Sequence, residues 1–177
     1  MSLQNFSSVI NTGPIADATA VTATAETALW DAALHSAIGA DIGNRPQRSF
    51  SLYAAGIMSF ASTGTLILTP RWGTTTGGTS LGASHAKSGP GSATTNQPWR
   101  LMGDLFIRTW AGASSTAIFH GEFKTNLTTA AGTAFELLFG GTSATIDLTA
   151  AGGLFIGWTL SVAGTVTTQV VRLTEHN

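Results

Sequence analysis

Residues able to do chemistry are few in this chain, so each candidate site rests on residue type and spacing. Gly78-Thr79-Ser80-Leu81-Gly82 matches the G-x-S-x-G string of serine hydrolases. That chemistry needs the serine on a tight strand-to-helix turn, with a histidine and an acid in reach. Here the string lies in a Gly/Thr-rich stretch with no helical pattern after it. A chain with 21 glycines also meets such strings by chance, so the reading is loop. His120-Gly121-Glu122 sets a histidine and a carboxylate on one face of a strand, while His35, His85 and His176 lie elsewhere. A metal site needs three or four converging ligands, and one local pair falls short. No spaced carboxylate pair suits glycoside hydrolysis, and Gly73 to Gly91 does not match the pattern of a phosphate-binding loop. Without cysteine there is no disulfide framework and no thiolate metal site. Asn5-Phe6-Ser7 and Asn126-Leu127-Thr128 are glycosylation sequons by pattern only. The expectation is a protein without catalytic residues, cofactor or metal.

The elements that carry these residues centre on Gln97 to Asn126. Trp99, Leu101, Gly103, Leu105 and Ile107 form one row; Arg100, Met102, Asp104, Phe106, Arg108 and Trp110 form the other. After Ala111-Gly112-Ala113-Ser114-Ser115 the alternation resumes. Ala117, Phe119, Gly121 and Phe123 make an apolar row, and Ile118, His120, Glu122 and Lys124 a mixed one. Side chains in a strand alternate faces, so two such runs joined by a short loop predict an antiparallel hairpin with one core face. A register centred on Ala113 pairs Ile107 with Phe119 and Leu105 with Gly121; a bulge at Gly112 would slip it.

The second face of this hairpin is the most informative surface. Arg100, Asp104, Arg108, His120, Glu122 and Lys124 are interleaved with Met102, Phe106, Trp110 and Ile118. A solvated face rarely carries so many large apolar groups, and a core face rarely carries so many charges. A subunit interface tolerates both. The alternatives are an ordinary amphipathic sheet face and a ligand surface. The expected homo-oligomer contact comprises Arg100, Met102, Asp104, Phe106, Arg108, Trp110, Ile118, His120 and Glu122.

Composition bounds the rest. Charged residues make up 10% of the 177, against a typical value of about 25%, while apolar residues are 43% with five Trp and nine Phe. This is a folding composition, rich in Gly and Thr, and it favours all-β architecture. Eight basic and nine acidic residues leave no basic run for nucleic acid or for a membrane surface. The start, Met1-Ser2-Leu3-Gln4-Asn5-Phe6, lacks a signal-peptide pattern, and no apolar run reaches the roughly 18 residues of a membrane helix. Assembly in a cytoplasm is expected.

Further strands are predicted at Ala18 to Ala25, Ser49 to Phe60, Thr65 to Trp72, Leu154 to Val162 and Thr165 to Glu175. Pro70 suggests an edge or a bulge. Phe135 to Phe139 and Ala144 to Leu148 read as another pair, turning at Gly140-Gly141. Asp31 to Ile38 could be a short helix, and Gly73 to Asn96 a long loop broken by a short strand near Ser80 to Ser84. Eight to ten strands with short turns suit an antiparallel two-sheet sandwich of jelly-roll type over 18–177. Residues 1–17 lack periodicity, yet Phe6, Val9, Ile10 and Ile15 are apolar. They read as a frayed end or as an extended arm lying on a neighbouring subunit.

Three stretches carry a resemblance. They are Ala20-Val21-Thr22-Ala23-Thr24-Ala25-Glu26-Thr27-Ala28-Leu29-Trp30; Ser51-Leu52-Tyr53-Ala54-Ala55-Gly56-Ile57-Met58-Ser59 with Thr65-Leu66-Ile67-Leu68-Thr69-Pro70-Arg71-Trp72-Gly73; and Trp99-Arg100-Leu101-Met102-Gly103-Asp104-Leu105-Phe106-Ile107-Arg108-Thr109 with Phe119-His120-Gly121-Glu122-Phe123. In them the chain resembles small jelly-roll virion proteins of tailed bacteriophages. The resemblance implies a structural virion component, first a capsid decoration (cement) protein that binds the major capsid protein as a homotrimer. It also implies a purpose for the N-terminal arm, which would contact the capsid through Phe6, Val9, Ile10 and Ile15. The alternative is a tail-associated or receptor-binding module holding a glycan near Gly73 to Gly91, with Trp72 or Trp99 stacked on the sugar.

Overall fold

Alternation of buried apolar with outward-facing side chains builds most of the long strands of the protein. The computed structural model describes residues 7–14, 25–30, 48–61, 64–73, 77–82, 85–89, 91–128, 132–150 and 152–176. These form twelve strands: β1 (Ser7–Pro14), β2 (Thr27–Ala28), β3 (Ser49–Phe60), β4 (Thr65–Trp72), β5 (Thr79–Ser80), β6 (His85–Ser88), β7 (Thr94–Thr109), β8 (Ser115–Thr128), β9 (Ala134–Gly140), β10 (Ala144–Ile146), β11 (Leu154–Leu160) and β12 (Gly164–His176). The expected strand at 18–25 and the helix at 31–38 lie outside the described residues, apart from Ala25, a bend.

All pairings are antiparallel and form two sheets. The large sheet runs β1-β12-β3-β7-β8, with β9 and β10 both on the far side of β8. The small sheet runs β2-β11-β4, with β5 and β6 both on the far side of β4. Strand pairs are nested in the sequence: β1 with β12, β2 with β11, β3 with β7, and β4 with β5. The expected pairing of Phe135 to Phe139 with Ala144 to Leu148 does not form. Both segments add to β8 instead, because β8 is long enough to seat them end to end.

The core lies between the sheets. From the large sheet it takes Phe50, Leu52, Ala54 and Met58 of β3, Leu101, Leu105 and Ile107 of β7, and Phe119 and Phe123 of β8. Leu66, Leu68 and Trp72 of β4 and Ile156, Trp158 and Leu160 of β11 close it from the small sheet. Trp99 stacks on Phe123 with ring centres 5.6 Å apart, and Phe123 meets Phe135 edge to face at 6.3 Å.

The central hairpin keeps the predicted faces but not the predicted register. Leu105 pairs with Phe119 and Gly103 with Gly121, two residues away from a register centred on Ala113. A slip of two preserves the inward set, because side chains alternate with period two. The irregularity falls between Ile107 and Thr109, so the bulge is at Arg108 and not at Gly112. The reason for the register is packing. Gly103 beside Gly121 opens a slot that the rings of Phe119 and Phe139 fill, and a Cβ on Gly121 would lie 2.6 Å from either ring. The turn itself is a 3₁₀ turn at Gly112–Ser114, with Gly112 at φ 61°.

Two further expectations are corrected. The short strand expected near Ser80 to Ser84 is β5 at Thr79–Ser80, but the stretch Gly73 to Asn96 also supplies β6 and the start of β7 and is less loop than expected. Pro70 sits at neither an edge nor a bulge, since the ladder of β4 with β11 is continuous through Ile156–Pro70. Its carbonyl accepts from Leu81 N–H at 2.8 Å, so its missing N–H faces the seam between β5 and β6, where no ladder bond is lost. Ser7–Pro14 of the expected arm form β1, in register on β12 from Ser7–His176 to Pro14–Val170. A strand edge offers β1 ladder hydrogen bonds that a free arm would forgo.

Candidate functional site: the outer face of the large sheet

Register places the outward residues of the large sheet in cross-strand rows. One row reads Arg172, Tyr53, Met102, Glu122, Leu138 from β12 to β9. On one side of it runs Thr174, Ser51, Asp104, His120, and on the other Val170, Ala55, Arg100, Lys124, Glu136. A fourth row carries His176, Ser49, Phe106 and Ile118.

Exposure separates this surface from the rest of the molecule. Among the described residues, the large hydrophobic side chains left exposed are Tyr53, Met102, Phe106, Trp110, Leu138 and Val170. Five of the six point outward from the large sheet, and Trp110 follows the end of β7. Leu138 is the extreme case at 64%. Scattered exposed leucines mean little, but a set confined to one face marks an interaction surface.

Charges on the face are only partly satisfied within it. Lys124 Nζ reaches Glu122 at 2.8 Å and Glu136 at 3.3 Å, so two carboxylates share one ammonium. The hydrogen bond from Lys124 holds the Glu122 carboxyl below its ordinary range, and the same bond holds the Lys124 ammonium above its own. Arg100, Arg108 and Arg172 make no ion pair with the described residues. Two shallow hollows flank the Tyr53–Met102 pair. One, of about 480 Å³, lies among Tyr53, Ala55, Arg100, Lys124 and Glu136; the other, of about 350 Å³, among Ser51, Tyr53, Met102, Asp104, Arg172 and Thr174.

A serine, a histidine and an aspartate meet on this face. Ser51 Oγ donates to Asp104 Oδ1 at 2.6 Å, and His176 Nε2 lies 2.9 Å from the same Oγ. The hydroxyl has one proton and gives it to the carboxylate, so the imidazole must donate. A nucleophilic triad needs the opposite order, with histidine between serine and acid. The cluster ties β12 to β3 and β7. Ser80 Oγ is likewise engaged, donating to Gly82 O at 2.6 Å. His120 and Glu122 share the outer face as expected, and no cluster of three metal-ligating side chains occurs among the described residues.

Of the residues expected at an oligomer contact, Met102, Asp104, Phe106, Arg100, Ile118, His120 and Glu122 are brought together here. Arg108 lies at the bulge and Trp110 beyond the strand, both exposed. Val9 and Ile10 lie in β1, and Phe6 and Ile15 are outside the described residues. Trp72 and Trp99 cannot stack on a glycan: they are 5% and 3% exposed. Their indole N–H groups donate to Asp147 O at 3.2 Å and Ile57 O at 3.1 Å. Sequence reasoning missed Tyr53, Leu138, Val170 and Arg172. Leu138 gave a signal, because Leu137-Leu138-Phe139 makes β9 apolar on both faces.

No protein-family model matches the chain, and no curated protein does.

Proposed function

We propose that the protein is a structural virion component, a capsid decoration protein that assembles as a homotrimer and binds the major capsid protein on the outside of the shell. The observation that carries the reading is the outer face of the large sheet, where exposed Tyr53, Met102, Phe106, Leu138 and Val170 stand among incompletely paired charges. That mixture suits a desolvated contact with polar register-setting pairs better than a water-facing sheet. The nested strand pairs support a jelly-roll wrap, in which an antiparallel ribbon folds over so that first pairs with last; β8 to β10 would then be an insertion that widens one sheet. Many modest contacts repeated by symmetry would stabilise a shell.

The arm enters the proposal in a narrower form. Residues 1–17 would still contribute to capsid attachment, but deleting them also removes β1 from the edge of β12. A second reading, a glycan-binding module, draws on the hollow beside Tyr53 with Arg100 and Glu136 at its rim. Co-sedimentation with undecorated capsids tests the first reading. Saturable attachment is expected, and attachment unchanged in Tyr53→Ser and Leu138→Ser would detach this face from it. A glycan array bound by the protein and silenced by Tyr53→Ser would favour the second.

A further inference from the structure

The two sides of this face are unlike, and their difference specifies how copies would meet. On the β9 side, Leu138 projects at 64% exposure between Glu122 and Glu136. Those two carboxylates share Lys124, and Glu136 is the outermost charge, carried on the last strand of the row. Arg100, one strand further in, attracts Glu122 across the sheet. Nearer β12 there is a hollow of about 350 Å³, bounded by Tyr53, Met102 and Arg172. Arg172 makes no ion pair with the described residues.

Knob and hollow cannot satisfy each other within one molecule. Four strand spacings of about 4.8 Å separate β12 from β9, so Arg172 and Glu136 stand roughly 19 Å apart, beyond the screening length of about 8–10 Å. Between two copies they fit. A site of about 150 Å³ accepts a benzene, so the hollow has room for one isobutyl group.

We propose that a second copy of this chain docks on this face: Leu138 of one copy enters the hollow beside Tyr53 and Met102 of the other, and Arg172 of that copy meets Glu136 of the first. The inference rests on the reading of this face as a subunit contact. Knob and hollow lie on the same face of each copy, so a two-fold axis can seat both contacts reciprocally, while a ring uses one of each per junction.

Light scattering of the full chain at micromolar concentration is the test, applied to the parent, Leu138→Asp, Arg172→Glu, Glu136→Arg and the double reversal Arg172→Glu/Glu136→Arg. The parent is expected as a closed oligomer. Removing the buried leucine should weaken association by tenfold or more, since its burial is worth about 1.5–3 kcal/mol. Each single charge reversal should shift the mass toward the monomer, and the double reversal should restore it. A monomeric parent would overturn both the contact and the subunit reading. An assembled parent indifferent to all four variants would overturn this contact alone. Thermal melting of each variant checks that the fold is retained; all three substituted residues sit on the exposed side.

Discussion

The outer faces of the two sheets handle charge in opposite ways. On the small sheet, Arg71 grips both carboxylate oxygens of Glu26, at 2.5 and 2.6 Å, and gives its remaining arm to Gly78 O at 2.9 Å. Its neighbours on that face, Thr69 and Phe155, are buried. The hydrogen bond from Arg71 to Glu26 holds the guanidinium above its ordinary pKa. On the outer face of the large sheet, Arg100, Arg108 and Arg172 make no ion pair with the described residues, and aromatic and aliphatic groups face outward. One face is finished inside the molecule; the other has groups left to satisfy. Substitutions on the first should therefore cost fold stability, and substitutions on the second should cost association.

The largest effect is expected at Gly157. A Cβ there would collide with the Glu26 carboxylate and push it off Arg71. Gly157→Ala should lose about 1–3 kcal/mol in denaturant unfolding. A parent-like midpoint would mean that the Glu26 strap is not seated as described. Next comes Glu26→Ala, which strands a guanidinium of 20% side-chain exposure. A fully buried broken pair costs about 3–5 kcal/mol, and partial exposure reduces this to about 1–2 kcal/mol. On the other face, Phe106→Ser and Met102→Ser should each change the unfolding free energy of the isolated chain by no more than about 0.5 kcal/mol while lowering the solution mass. A large stability loss there without a change in mass would erase the contrast between the faces.

The smallest effect concerns protonation. Lys124 keeps the folded Glu122 carboxyl depressed. A depressed carboxyl adds stability above its unfolded pKa of about 4.3, and that addition disappears as pH falls through the lower folded value. Lys124→Met should move the Glu122 titration midpoint upward in carboxyl NMR. No movement would mean that the ammonium is not the cause.

Local alternation made much of the fold legible. Phe50, Leu52, Ala54 and Met58 point inward, as their spacing predicts, and so do both apolar rows of the hairpin. The register escaped because it is decided across strands: nothing near Ala113 reveals that Phe119 needs the slot between Gly103 and Gly121. Pro70 misled for a similar reason, since only the tertiary arrangement creates a seam between β5 and β6. The hairpin half of the candidate site was visible as a mixed row. The other half was not, because Tyr53 and Arg172 come beside Met102 only through long-range pairing of β3 and β12.

Absolute mass by light scattering, run on the parent beside Met102→Ser/Phe106→Ser, addresses the central claim most directly. If the large-sheet face joins copies of the chain, the parent should weigh about three times 18.2 kDa and the double variant 18.2 kDa, with unchanged melting of the isolated fold. A parent of 18.2 kDa at micromolar concentration, or an assembly that the double variant leaves intact, would contradict it.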